Sequence, residues 1–219
     1  MTTPEWRTVL EQQLKQHAKS SVYSFATASP APHVRYVVHR EFSPSHLLLT
    51  TTDRRMAKTR QMEHGAAIAW LFPSLVQVRL EGRMILYPSP IPFPNPPATT
   101  AEEDAKTLAD SFPKDAPESD PQWWEKKRKE LWDGLSPELR ASFCRPKPGA
   151  ELKDDPNNWI DELVSYEKTK DALARAWENF AVLALQPESV EVLDLGSKPH
   201  KRTQWTSATD APRKTEVVP

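Results

Sequence analysis

Residues 22–52 read VYSFATASPAPHVRYVVHREFSPSHLLLTTT, and this stretch decides the fold. Val22, Ser24, Ala26 and Ala28 alternate with Tyr23, Phe25 and Thr27, the two-residue period of a strand with two distinct faces. Ser29-Pro30-Ala31-Pro32 signals a turn. A second strand is predicted over His33–Phe42, rich in β-branched and aromatic residues, with Arg35, Val37 and His39 on one face. Ser43-Pro44-Ser45 turns the chain into a third strand, His46–Thr52. Turns this short favour antiparallel pairing, because a parallel crossover needs a dozen residues or more.

Upstream, Pro4 opens an amphipathic stretch to about Ser20, with Trp6, Val9, Leu10 and Leu14 at helical spacing. Downstream, a helical piece over Arg54–Glu63 precedes two further strands, Ala66–Phe72 and Val76–Tyr87. Pro88–Pro97 holds six prolines, which excludes a helix or a central strand and predicts an extended connector. The whole of Pro88–Pro121 reads as nearly coreless. Helices are expected over Gln122–Trp132, over Ser136–Phe143 with Ser136 as N-cap, and over Thr169–Asn179, with Pro146–Asn158 as loop. Strand pattern returns in Phe180–Leu185 and Val190–Leu195, split by a Gln186-Pro187-Glu188 turn, and ends in Lys201–Ser207. The expectation is a mainly β, α+β chain: a closed or half-closed antiparallel barrel with peripheral helices. At 219 residues it forms one domain, 1–219, in which 88–168 is a proline-rich and helical insertion.

Composition narrows the function. A formal charge of −1 supplies no global field for nucleic acid or an anionic membrane. The single cysteine, Cys144, excludes an intramolecular disulfide and a cysteine-based zinc cluster. The six histidines lack ligand spacing, so no metal site is expected. Five glycines and no Gly-rich phosphate loop exclude nucleotide-loop readings. No apolar run approaches the ~20 residues of a membrane span, and the opening residues lack signal-peptide features, so a cytoplasmic protein is expected.

One region suits an anion. Arg35 and Arg40 flank a strand, Thr50-Thr51-Thr52 ends the next, and Asp53-Arg54-Arg55-Met56-Ala57-Lys58 follows directly. Cations in fixed directions beside hydroxyls and the N–H groups of a helix start can hold a phosphate. The same charges also fit a merely solvated helix face, and spacing alone does not choose between the two.

The segments in order resemble the pyridoxamine 5′-phosphate oxidase-like FMN-binding split-barrel family. The blocks behind the resemblance are Arg35-Tyr36-Val37-Val38-His39-Arg40, Leu49–Arg55 with Lys58 and Gln61-Met62, Val76–Gly82, Leu131-Trp132 to Leu135-Ser136-Pro137 with Phe143 and Pro146–Gly149, Asn179–Leu183, and His200-Lys201-Arg202. The resemblance implies a homodimer with FMN at the subunit interface. By position, Arg35 and Lys58 would hold the phosphate with Arg55 as helper, and Arg40 closes the first motif. Val37, Val38, Thr51 and Thr52 would line the isoalloxazine, and Gln77 and Arg202 would reach it from the other subunit. Lys198 and His200 would face the substrate.

The implied activity is an FMN-dependent oxidoreductase of unknown substrate. Three departures point away from oxidation of pyridoxamine phosphate itself. Met56 stands where the related branch has Ser, Ala57 where the oxidase has Arg, and Lys198 where the oxidase has its substrate-phosphate Arg. An aromatic flavin contact is also replaced by aliphatic Val192 or Leu193. Alternatives are a true vitamin B6 salvage oxidase, a non-catalytic flavin or haem protein with His39 or His64 as axial candidates, and an interaction module built on Pro88–Pro121.

Overall fold

The structure is a computed structural model that describes residues 3–28, 30–62, 65–88, 101–153, 166–206 and 213–219, with only the backbone course given at 101 and 166–169. His64 and most of the proline-rich connector lie outside the described residues. Two compact units emerge. The first comprises Met1–Thr50, Gln61–Ile85 and Leu183–Pro219, and the second Thr51–Arg60 and Leu86–Val182. The second thus takes in most of the expected 88–168 insertion, together with 51–60 and the residues that follow.

The first unit opens with helix α1, Glu5–Gln16, whose buried side chains Trp6 and Leu10 are one turn apart. Pro4 is the N-cap, and its carbonyl accepts from the amides of Arg7 and Thr8. The strands are β1 (Val22–Thr27), β2 (His33–Val38), β3 (Glu41–Phe42), β4 (Leu48–Asp53), β5 (Ala66–Leu71), β6 (Val76–Tyr87), β7 (Phe180–Asp194), β8 (Lys201–Thr206) and β9 (Arg213–Val217). They form an antiparallel sheet curled into a half-barrel, in the order β2-β1-β5-β6-β7-β4-β3, with β8 on β7 and β9 on β8. The predicted alternation holds: Tyr23, Phe25 and Thr27 of β1 and Ile68 and Trp70 of β5 are buried on one face.

Three strand predictions need correction. The second strand does not run unbroken from His33 to Phe42. It stops at Val38, where the His39 amide donates to the Ser21 carbonyl and the Arg40 amide to the Leu49 carbonyl, and β3 resumes at Glu41. The expected turn at Gln186-Pro187-Glu188 is absent, and Phe180–Asp194 is one strand of 15 residues. Gly82 explains how it passes: a Cβ there would lie 2.0 Å from the Gln186 carbonyl oxygen. Only a bare backbone on β6 lets β7 approach this closely at Gln186. The terminal strand β9 has no apolar alternation to announce it, since Arg213, Lys214, Thr215 and Glu216 are all exposed.

The second unit is helical. Its elements are α2 (Ala101–Ala109), α3 (Pro121–Asp133), α4 (Pro137–Ser142) and α5 (Tyr166–Asn179). Ser136 caps α4 as predicted, accepting from the Leu139 amide, and Asp120 caps α3 by accepting from Gln122. Trp132, Leu135, Phe143, Ala176 and Phe180 form one buried cluster in it. Arg128 is buried too. Its guanidinium stacks 3.9 Å over the Trp177 ring and donates to the carbonyls of Phe180 and Trp177. The coreless reading of Pro88–Pro121 fails at its second half. Ala105, Ala109, Phe112 and Ala116 are buried, and small alanines on a helix contribute a core that a search for large apolar residues overlooks.

Candidate functional site

The predicted residues fall in both units. In the first, the Arg35 guanidinium donates through Nη1 to Thr27 Oγ1 at 2.7 Å and through Nη2 to Gln61 Oε1 at 2.7 Å, and it lies 5.5 Å from the centre of the Phe25 ring. The strand period sends Val37 and Val38 to opposite faces: Val37 is buried, Val38 exposed. The Val38 carbonyl accepts from Thr50 Oγ1 at 2.6 Å, which ties the end of β2 to β4. Arg40, partly buried on the connection to β3, has its guanidinium pKa lowered by that burial.

Gln77 and Arg202 are 125 positions apart in sequence (202 minus 77), yet the sheet draws them into one polar cluster. Arg79 Nε donates to Gln77 Oε1 at 3.0 Å, and Arg79 Nη1 pairs with Glu191 Oε1 at 3.1 Å. The other carboxylate oxygen of Glu191 accepts from Arg202 Nη2 at 2.8 Å and Gln204 Nε2 at 2.7 Å. Burial pushes the Glu191 pKa up, but the hydrogen bonds from Arg202 and Gln204, with the charges of Arg202 and Arg79, outweigh it and hold it below the ordinary range. Glu191 and Arg79 went unread in the sequence. The signal was the period of β7 and β8, which places Glu191 opposite Gln204 and two pairs away from Arg202, on the same face.

Lys198 and His200 lie on the β7–β8 connection. Asp194 Oδ1 there accepts from the amides of Gly196 and Ser197, and His200 Nδ1 contacts the Ser197 carbonyl at 3.0 Å. Both side chains are exposed. A separate groove of about 570 Å³ opens at the strand ends between Ala26–Ala28, Gly65–Ala67 and Glu81–Arg83. None of the predicted residues lines it, although Thr27, the acceptor of Arg35, does.

The outer face of this sheet is apolar and open. Val34, Tyr36 and Leu71 are 71%, 79% and 63% exposed. The register sets Tyr36 beside Ser24, Ser24 beside Ala69 and Ala69 beside Arg79, so the open face leads directly into the Glu191 cluster.

In the second unit Thr52 is buried, and its hydroxyl lies 3.8 Å from Met56 Sδ, a weak acceptor. Thr51 is partly buried beside it in sequence. Arg55 is committed to protein: its guanidinium binds both oxygens of Asp53, at 2.6 Å for Nη2 to Oδ2, and the Phe143 carbonyl at 3.2 Å. Lys58 sits in a single 3-10 turn, Ala57–Thr59. This corrects the helix expected over Arg54–Glu63, and with it the argument that a helix start supplies an anion site there. The Thr59 hydroxyl donates to the carbonyls of Arg54 and Met56 within this turn.

His39, which follows the end of β2, is buried. It is 9% exposed, with ring centroids 4.7 Å from Phe42 and 5.3 Å from Trp70. Among the described residues no group of three His, Cys, Asp or Glu side chains is arranged for a metal, and no helix is long and apolar enough to cross a membrane.

Residues 3–88 match the family model described as pyridoxamine 5′-phosphate oxidase, FMN-binding domain, so the family resemblance read from the sequence is borne out. A pyridoxamine 5′-phosphate oxidase-related, FMN binding protein from Nostoc punctiforme PCC 73102 superposes with a TM-score of 0.68 at 22% identity, covering 100% of both chains. PhzG from Burkholderia lata 383, solved with tetrahydrophenazine-1-carboxylic acid, gives 0.62 at 14% identity, covering 100% of this chain and 98% of its own. At these identities the two likenesses establish the split-barrel fold. No curated protein matches the chain.

Proposed function

We propose, from the family match over residues 3–88, that the chain is an FMN-binding flavoprotein that works as a homodimer and acts as an oxidoreductase on a small molecule. The observation behind this reading is the convergence of Gln77 and Arg202 on one cluster at the margin of an open apolar face. A second copy covering that face would bring these donors to the edge of its partner's flavin site. The residues fit such a ligand. Arg202 Nε is buried without a hydrogen-bond partner, an orphaned donor that an acceptor-rich ring edge would satisfy.

The roles divide by chemistry. Arg35 and Lys58 are assigned to the phosphate as charge-assisted donors. Arg55 is held by Asp53 and so serves the phosphate less than the resemblance implies. Thr51, Thr52 and the backbone of Val37 and Val38 are assigned to the ring, Arg40 to the cofactor with them, and Lys198 and His200 to the substrate side of the pocket. When bound, FMN supplies the acceptance or donation of hydride, and the protein supplies position and electrostatics.

The test is purification without added cofactor, followed by a visible spectrum and identification of any released small molecule by mass. The expected result is yellow protein releasing FMN, with Lys58→Ala weakening FMN binding by about 1.5–3 kcal/mol. Colourless protein that also fails to bind added FMN would overturn the reading.

A further inference from the structure

Glu191 is buried, 8% exposed, and its carboxylate occupies the centre of a cluster drawn from three strands. Arg202 and Gln204 from β8 donate to one of its oxygens, and Arg79 from β6 pairs with the other by charge at 3.1 Å. Arg79 passes the order on. Its Nε can only donate, so the Gln77 amide must turn its oxygen inward to accept, which leaves the two amide hydrogens of Gln77 as outward donors. Arg202 spends Nη2 on Glu191, and its remaining N–H groups, including buried Nε, are held in a fixed direction. Without the carboxylate, Arg79 and Arg202 would be two like charges sharing one patch with no common anchor, and both would swing into solvent.

We infer that Glu191 is a positioning residue for the ligand bound at this face: it holds the Arg202 guanidinium directly and the Gln77 amide through Arg79, so that both present donors to an acceptor-rich ring edge. The inference rests on the FMN reading given above and adds a residue to it. Glu191 touches no ligand. It removes the freedom of two groups that do, so binding meets donors already oriented. The carboxylate also leaves the cluster with one net positive charge, enough to favour an electron-rich edge.

The test uses the full chain with FMN as the probe, titrated by flavin fluorescence, while thermal melting without FMN reports whether each variant folds. Glu191→Gln should weaken FMN binding about tenfold and move the bound flavin's visible bands toward those of free FMN. In a Gln77→Leu/Arg202→Ala background, where both donors are gone, the same change should alter Kd by less than about twofold. Arg79→Met replaces an exposed side chain and leaves Glu191 in place, so it decides the matter if the Glu191 variant does not fold; a threefold or larger loss is expected, on the order of one hydrogen bond. If wild type binds FMN and both single variants bind equally well, the positioning role falls and the flavin reading stands. A Glu191→Gln loss that persists undiminished in the donor-less background also overturns it. If wild type binds no FMN, both readings fall together.

Discussion

At the scale of the residue, His39 is a titratable side chain enclosed among aromatic rings. Burial, assisted by the charge of Arg7, lowers its pKa to about 4 from 6.5. Arg7 lies against Phe42, 4.8 Å from the ring centre, and His39 packs on the same ring. Arg7 also reaches His46 Nδ1 at 2.7 Å, so a cation is fixed near the imidazole. The unfolded chain takes up a proton on this residue at ordinary imidazole pH, whereas the native chain resists until about pH 4. Between those values the unfolded state binds more protons, so stability falls as the pH falls. Above pH 6.5 both states are neutral and His39 contributes nothing to the pH dependence. The loss across the window should be on the order of 3 kcal/mol. Denaturant unfolding at pH 7, 5.5 and 4 should show it, and His39→Phe, which keeps an aromatic against Phe42 and Trp70, should remove most of that slope. An unchanged slope in the variant would place the titration elsewhere.

At the scale of the element, the β6–β7 contact is the least forgiving. Gly82 is required for space: a Cβ there would meet the Gln186 oxygen at 2.0 Å and the Glu188 nitrogen at 3.0 Å, both backbone atoms that cannot rotate away. Gly82→Ala should therefore destabilise by roughly 2–3 kcal/mol, read as a lower urea midpoint with an unchanged slope. A change below about 0.5 kcal/mol would mean that β7 adjusts freely. This contact also shows where sequence reading stops. Alternation in Val22–Thr27 and Val76–Tyr87 was visible because one face of each strand is buried and the other is not. Pro187 looked like a turn because local propensity favours one, and only the distant Gly82 makes the continuous strand possible. Arg35, Gln77 and Arg202 were legible as motif positions, whereas Glu191 was not, since its importance arises from three strands that meet only in the folded sheet. The Arg54–Glu63 segment misled for the opposite reason: its charges suit a helix, but Asp53 and Thr59 hydrogen-bond the local backbone and close it into a short turn.

At the scale of the whole molecule, the open face of β2, β1 and β5 is the feature that a single chain leaves unexplained. Tyr36 at 79% and Val34 at 71% exposed stand on the edge strand of the sheet, a position that isolated proteins usually guard with charge. Contiguous apolar area of this kind marks an interaction surface, and the proposed occupant is a second copy. The mass in solution should then be twice the 24.9 kDa of one chain by light scattering. Tyr36→Glu places a charge on an exposed side chain, so in a monomer it should alter stability by no more than about 0.5 kcal/mol. In a dimer the same change buries an unpaired carboxylate at the interface and should shift the mass to that of one chain. The dimer also makes a coupled demand. If Gln77 and Arg202 serve the partner's flavin, FMN binds the dimer better than the monomer, and by linkage FMN must tighten dimerisation by the same factor. Dilution of the Tyr36→Glu variant with and without saturating FMN measures that factor: partial recovery of the dimer mass by FMN is expected. A monomer that binds FMN as tightly as wild type, and whose mass FMN does not change, would show that each chain builds its flavin site alone.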